Sequence, residues 1–143
     1  MKRYLALLLI LAIACGFSIS AVVATDFEKM DFDGKFKMDV VNGCDFVRTE
    51  DDGLVTFMDI DKGISVFYIE DSSISKDMDE IYYDAFKSSS GFEDDGTEGN
   101  IRVYKNPDMY GALLTDEGIA VAVGSTDRSE AIEMAQSIEF TNK

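Results

Sequence analysis

Along residues 35–40 the chain alternates: Phe36, Met38 and Val40 fall on one side, and Lys35, Lys37 and Asp39 on the other. A period of two predicts a strand with one buried face. Asn42-Gly43 then turns the chain, and Phe46-Val47 begins a short return strand. Residues 54–60 and 64–69 are two β-rich runs joined by Asp61-Lys62-Gly63, a hairpin signal. Their apolar residues occupy both faces, Val55 and Phe57 on one and Leu54, Met58 and Ile60 on the other. Both runs are therefore expected as central strands covered on two sides.

The period then lengthens. Ser75 is placed to cap a helix, and Asp77, Asp79 and Glu80 put negative charge where the helix dipole favours it. Met78, Ile81, Tyr82, Ala85 and Phe86 follow helical spacing, which predicts a helix over about 76–88. Residues 91–100 read as a loop rich in acid and glycine. Three more strands are expected at 101–105, 109–115 and 118–124, with turns at Asn106-Pro107-Asp108 and Asp116-Glu117-Gly118. Asp127 can cap a last helix, with Glu130 three residues on completing a capping box and Ala131, Ile132, Ala135 and Ile138 forming the buried stripe. Strands joined by short turns must be antiparallel. The expected fold class is α+β: an antiparallel sheet of about six to seven strands flanked by two amphipathic helices, in a single domain over 34–143, with 25–33 as a linker.

The first 24 residues have a different character. Lys2 and Arg3 are followed by an uninterrupted apolar stretch from Tyr4 to Ala14, the pattern of an export signal, so an N-terminal apolar signal or anchor helix is expected. Three fates stay open. Cleavage after Val22-Val23-Ala24 would release the body. Retention would leave residues 4–24 as an anchor of about 31 Å, close to one hydrocarbon thickness. Lipidation at Cys15 would use Ala12-Ile13-Ala14-Cys15 as a loose lipoprotein box. All three keep Lys2 and Arg3 on the cytoplasmic side, so an extracytoplasmic body is expected, secreted or held on the outer face of the membrane. Residues 4–24, if uncleaved, are the expected membrane contact.

Composition narrows the chemistry. The 143 residues carry 28 acidic and 13 basic side chains, a net charge of −15, and every acid lies beyond residue 24. Such a field repels phosphate backbones and anionic headgroups, which argues against nucleic-acid partners. With 46% hydrophobic residues the chain is too apolar to be a disordered acidic tail. Histidine is absent, which removes triads and imidazole metal sites. The two cysteines are Cys15 in the leader and Cys44 in the body, so a released body could not form an internal disulfide.

The run Phe36-x-Met38-x-Val40-Val41-x-Gly43-x-x-Phe46, together with residues 119–140 ending in Ser137-Ile138-Glu139-Phe140, resembles the superfamily of the photosystem extrinsic PsbP protein. The resemblance covers roughly residues 30–140 and implies a small exported α+β domain with no shared active site. The acidic, short, signal-bearing chain is also similar in kind to small cell-envelope proteins of methanogenic archaea.

Candidate chemistry is confined to carboxylates. Asp94, Asp95 and Glu98 in the glycine-containing loop could gather a weak divalent cation, calcium being the natural choice for oxygen ligands. Asp59, Asp61 and Glu70 match three EF-hand positions, but Gly63 is out of register and the flanks read as strands. Tyr83, Tyr104 and Tyr110 could form a partner surface. The expected function is a non-enzymatic binding or assembly module of the cell envelope, its partner an envelope protein or ligand not identified by the residues. A small extracytoplasmic divalent-cation-binding protein is the alternative, and a carboxylate-dependent hydrolase stands behind both.

Overall fold

A computed structural model describes residues 26–74 and 92–141 of the chain. The expected leader helix with Cys15, and the expected helix at 76–88 with Tyr83, lie outside the described residues. Within them run β1 (Phe27–Phe32), β2 (Phe36–Val41), β3 (Val47–Asp51), β4 (Leu54–Asp59), β5 (Ile64–Glu70), β6 (Glu93–Glu98), β7 (Ile101–Lys105), β8 (Tyr110–Asp116), β9 (Ile119–Ser125), α1 (Arg128–Gln136) and β10 (Glu139–Phe140). Every strand pair is antiparallel.

The α+β expectation is overturned. The described residues form a mostly β structure: a three-stranded sheet in the order β1-β2-β10, a seven-stranded sheet in the order β3-β4-β5-β9-β8-β7-β6, and a single helix. Three segments account for the difference. The expected linker at 25–33 holds β1, which pairs with β2 from Phe27↔Val41 to Phe32↔Phe36. The expected acidic loop at 91–100 holds β6, paired with β7 across a bulge between Asp94 and Thr97. The return strand at Phe46-Val47 does not return: β3 leaves the small sheet and pairs with β4 in the large one.

Two Asp-Gly pairs make these hairpins. Asp33 and Gly34 have φ of 57° and 73°, and Lys35 N–H donates to the Phe32 carbonyl at 2.9 Å. Asp52 and Gly53 have φ of 52° and 83° and join β3 to β4 directly, with Asp51 opposite Leu54. Two successive left-handed residues make the turn whose twist matches the flanking strands, and Asp-Gly suits it because aspartate tolerates and glycine favours that region.

The core lies between the two sheets. Phe32, Phe36, Met38 and Val40 project from the small sheet onto Val55, Phe57, Val66, Tyr68, Val121 and Val123 of the large one. Phe32 stacks on Phe36 with ring centroids 5.0 Å apart and meets Phe57 edge-on at 4.9 Å, while Phe36 meets Tyr68 edge-on at 5.8 Å. Full burial contributes about 1.5–3 kcal/mol per phenylalanine, and each ring pair about 0.5–1.5 kcal/mol more. Alongside the small sheet, α1 buries Ala131, Ile132, Met134 and Ala135 on the same face. As the sequence predicts, Asp127 caps α1, accepting from Glu130 N–H at 3.0 Å. The reciprocal contact runs through Ser125, whose hydroxyl donates to Glu130 Oε1 at 2.9 Å and accepts from Asp127 N–H at 3.1 Å. The other face of the large sheet is also buried, at Leu54, Phe67, Ile69, Tyr104 and Leu113, so β4 and β5 are two-sided as expected.

A polar clamp closes the edge of the two-sheet core. Asp33 accepts from the Tyr68 hydroxyl and pairs with Arg48 at 2.8 Å, and the Arg48 guanidinium lies 5.9 Å from the centre of the Phe57 ring. Burial would raise the Asp33 pKa, but the Arg48 and Tyr68 hydrogen bonds outweigh it and hold the carboxyl below its ordinary 3.8. The Tyr68 phenol moves upward, first from burial and then from the neighbouring carboxylate.

A depressed carboxyl contributes stability that is present above its unfolded pKa and is lost as pH falls through the folded value. Asp33→Asn keeps the left-handed turn and removes the charge, so it is expected to cost about 1 kcal/mol at pH 7, the exposed side of the pair being screened by solvent. That cost should shrink as pH falls below about 4. Denaturant melts of both proteins across pH 3–7 check it; a difference independent of pH would contradict the ionic origin.

Candidate functional site

Strand β4, second from the edge of the large sheet, carries Leu54, Thr56 and Met58 on the face turned away from the small sheet, and its neighbour β3 carries Val47 and Thr49 there, since Val47 lies opposite Met58 and Thr49 opposite Thr56. β3 is the last strand of its sheet, and all five of its residues are exposed. The chain segment entering β3 and the hairpin leaving β4 stand together at the Val47–Met58 end of this strip. Against them and the strip lies a groove of about 670 Å³. Its floor and walls include Val47, Thr49, Thr56, Met58 and Ile60, with Asp45, Asp61 and Lys62 at the rim. That volume is in the range of small-molecule and side-chain binding sites.

Three features separate this groove from ordinary surface. Val47 and Ile60 are the large hydrophobic side chains left exposed among the described residues, at 67% and 64%, and both line it. Thr56 is only 3% exposed, yet its hydroxyl has no hydrogen-bond partner among the described residues. A buried hydroxyl without a partner costs on the order of 1–3 kcal/mol. Finally, the walls are fixed by one carboxylate. Asp59, 6% exposed, accepts from Asp45 N–H at 2.8 Å through one oxygen and from Lys62 N–H at 3.0 Å through the other. It ties the crossing segment to the β4–β5 hairpin, which makes it a positioning group and not a cation ligand of an EF-hand.

Cys44 sits beside this wall, partly buried against the core. Burial first, and the Asp59 carboxylate second, push its thiol up to about 12. At neutral pH it is a small apolar filler with almost no thiolate to act as nucleophile or metal ligand.

The carboxylates proposed for a cation are otherwise engaged. Asp94 turns back on its own strand and accepts from Gly96 N–H at 2.8 Å. Asp95 accepts from Arg128 Nε at 2.6 Å and stands 3.6 Å from Lys105 Nζ, and Glu98 lies 3.8 Å from Arg128. These contacts bind β6 to the start of α1. Among the described residues no group of three or more Cys, Asp or Glu side chains is close enough to hold a metal ion. Of the tyrosines proposed as a surface, Tyr104 is fully buried against Phe92, at 5.0 Å between ring centres, and Tyr110 is half-buried on β8.

The sequence reading passed over Val47, Thr49, Thr56 and Ile60 as site residues. One signal was available: Asp52-Gly53 between residues 47–51 and 54–59 marks a tight hairpin, which places β3 beside β4 and leaves its apolar residues at an edge. Comparison with protein-family models, with curated proteins and with solved structures found no match.

Replacing Thr56 by Val keeps the shape and removes the unpartnered hydroxyl. The ligand-free variant is expected to be as stable as the parent or up to about 1 kcal/mol more stable, read from chemical denaturation. A loss of more than about 1 kcal/mol would show that the hydroxyl is satisfied within the fold.

Proposed function

We propose that the protein is a non-enzymatic binding module of the cell envelope, exported by its leader, that receives an apolar group in the β3–β4 groove. The observation carrying this reading is that the two exposed large hydrophobic side chains among the described residues, Val47 and Ile60, line one concavity. An apolar ligand covers both side chains, with Met58 beneath it on the groove floor. The envelope location rests on Lys2-Arg3 and the apolar run that follows. The alternative of a divalent-cation protein has no comparable support, because Asp95 and Glu98 face Arg128.

The test uses full-length protein in lipid nanodiscs, with its methyl groups isotopically labelled, titrated with N-acetyl-leucinamide. The Met58, Ile60 and Val47 methyl resonances are expected to shift and saturate in the millimolar range while the core methyl of Met38 stays fixed. Val47→Glu, at an exposed position, is expected to abolish the response. Shifts that never saturate, or that spread equally to Met38, would contradict the reading.

A further inference from the structure

The groove opens along a strand edge. In a two-residue hairpin the closing residues exchange both hydrogen bonds, and bonded pairs then alternate along the ladder. With Asp51 opposite Leu54 as the closing pair, Val47, Thr49 and Asp51 bond to β4, and the backbone groups of Arg48 and Glu50 point outward from the sheet. The register runs without a bulge from Val47↔Met58 to Asp51↔Leu54.

The opposite edge of the same sheet differs. There β6 is interrupted by a bulge, carries four acidic residues in six, and is cross-braced to α1 by Arg128. Bulges and charge are the usual means of keeping a sheet edge from pairing with another chain. The β3 edge has no bulge, and it carries an apolar residue beside an apolar groove.

From these observations we infer that β3 accepts an added antiparallel strand, an extended polypeptide segment of a partner that alternates apolar with basic side chains. This rests on the groove reading above and names the occupant. Main-chain bonds to Arg48 and Glu50 would supply affinity that ignores sequence, and alternate side chains would supply selectivity. On the groove face the added strand continues the row of Val47 and Thr49, so its apolar side chains come to lie over the concavity. Charge selects basic flanks. Asp45 and Asp61 line the groove, Asp51 and Asp52 lie at the hairpin end of β3, and Glu50 is on the reverse face, against Lys62 and an Arg48 already paired with Asp33. The same acids, on a chain of net charge −15, oppose pairing of β3 with β3 of a second copy.

The probe is a synthetic capped peptide, Lys-Lys-Val-Lys-Val-Lys-Lys, whose extended form places two valines between lysines on one face. It is titrated into full-length protein in nanodiscs, with fluorescence anisotropy for affinity and amide exchange for register. Binding is expected with slowed exchange at Arg48 and Glu50. A peptide with Glu in place of Lys, the same peptide N-methylated at alternate amides, and Val47→Glu protein should each bind at least about tenfold more weakly. The Val47→Glu variant adds negative charge, so attraction to the acidic surface alone would hold or strengthen its binding, and that result overturns the inference. Protection of Arg48 and Glu50 that rises with protein concentration in the absence of peptide would make a second copy the occupant and overturn it too. If N-acetyl-leucinamide saturates the groove methyls while the peptide leaves both amides unprotected, the inference falls and the groove reading survives. If neither binds, both fall.

Discussion

The packing of Phe32 and Phe36 against Phe57 and Tyr68 is the contact on which the arrangement depends. It joins two sheets that share no strand. The β1–β2 hairpin is a narrow ribbon, and a two-stranded hairpin is marginal in water on its own. Its stability comes from laying one face on the large sheet, and the large sheet needs that cover for Val55, Val66, Val121 and Val123. The turn between Phe32 and Phe36 adds direction to this apolar contact. Asp33 reaches across to Tyr68 and Arg48, which fixes where along the large sheet the ribbon sits.

That placement has a consequence for β3. Its inward side chain, Arg48, is held by Asp33 and by the Phe57 ring, so the strand is anchored through one face. Its other face and its outer edge are left open. The crossing segment and the β4–β5 hairpin, locked together by Asp59, stand at one end of that open strip and turn it into a groove. The groove thus follows from the way two sheets meet.

Much of the scaffold was legible in the chain because its signals are local. Alternation located β2, two-sided apolarity located β4 and β5, and Asp127 with Glu130 located α1. What was not legible depends on distant partners. β1 reads as a polar spacer until Met38 and Phe36 are placed opposite Met30 and Phe32. β6 is poor in strand formers and exists as a strand because β7 bonds to it and Arg128 and Lys105 face Asp95. The same distance effect hid the site. Val47 and Ile60 look like core residues in sequence, and only the position of β3 at the end of its sheet makes them exposed. Asp94, Asp95 and Glu98 attracted notice because acids and glycines cluster there, while the cations that meet two of them are far along the chain or on the neighbouring strand.

β3 is firmly part of the sheet on one side and open on the other. Residue-resolved amide exchange in the ligand-free, full-length protein addresses it directly. Slow exchange at Val47, Thr49 and Asp51 with fast exchange at Arg48 and Glu50 is the predicted alternation. Uniform protection along all five amides would mean the edge is already covered, and uniform fast exchange would mean that β3 is not held in the sheet; either result contradicts the account.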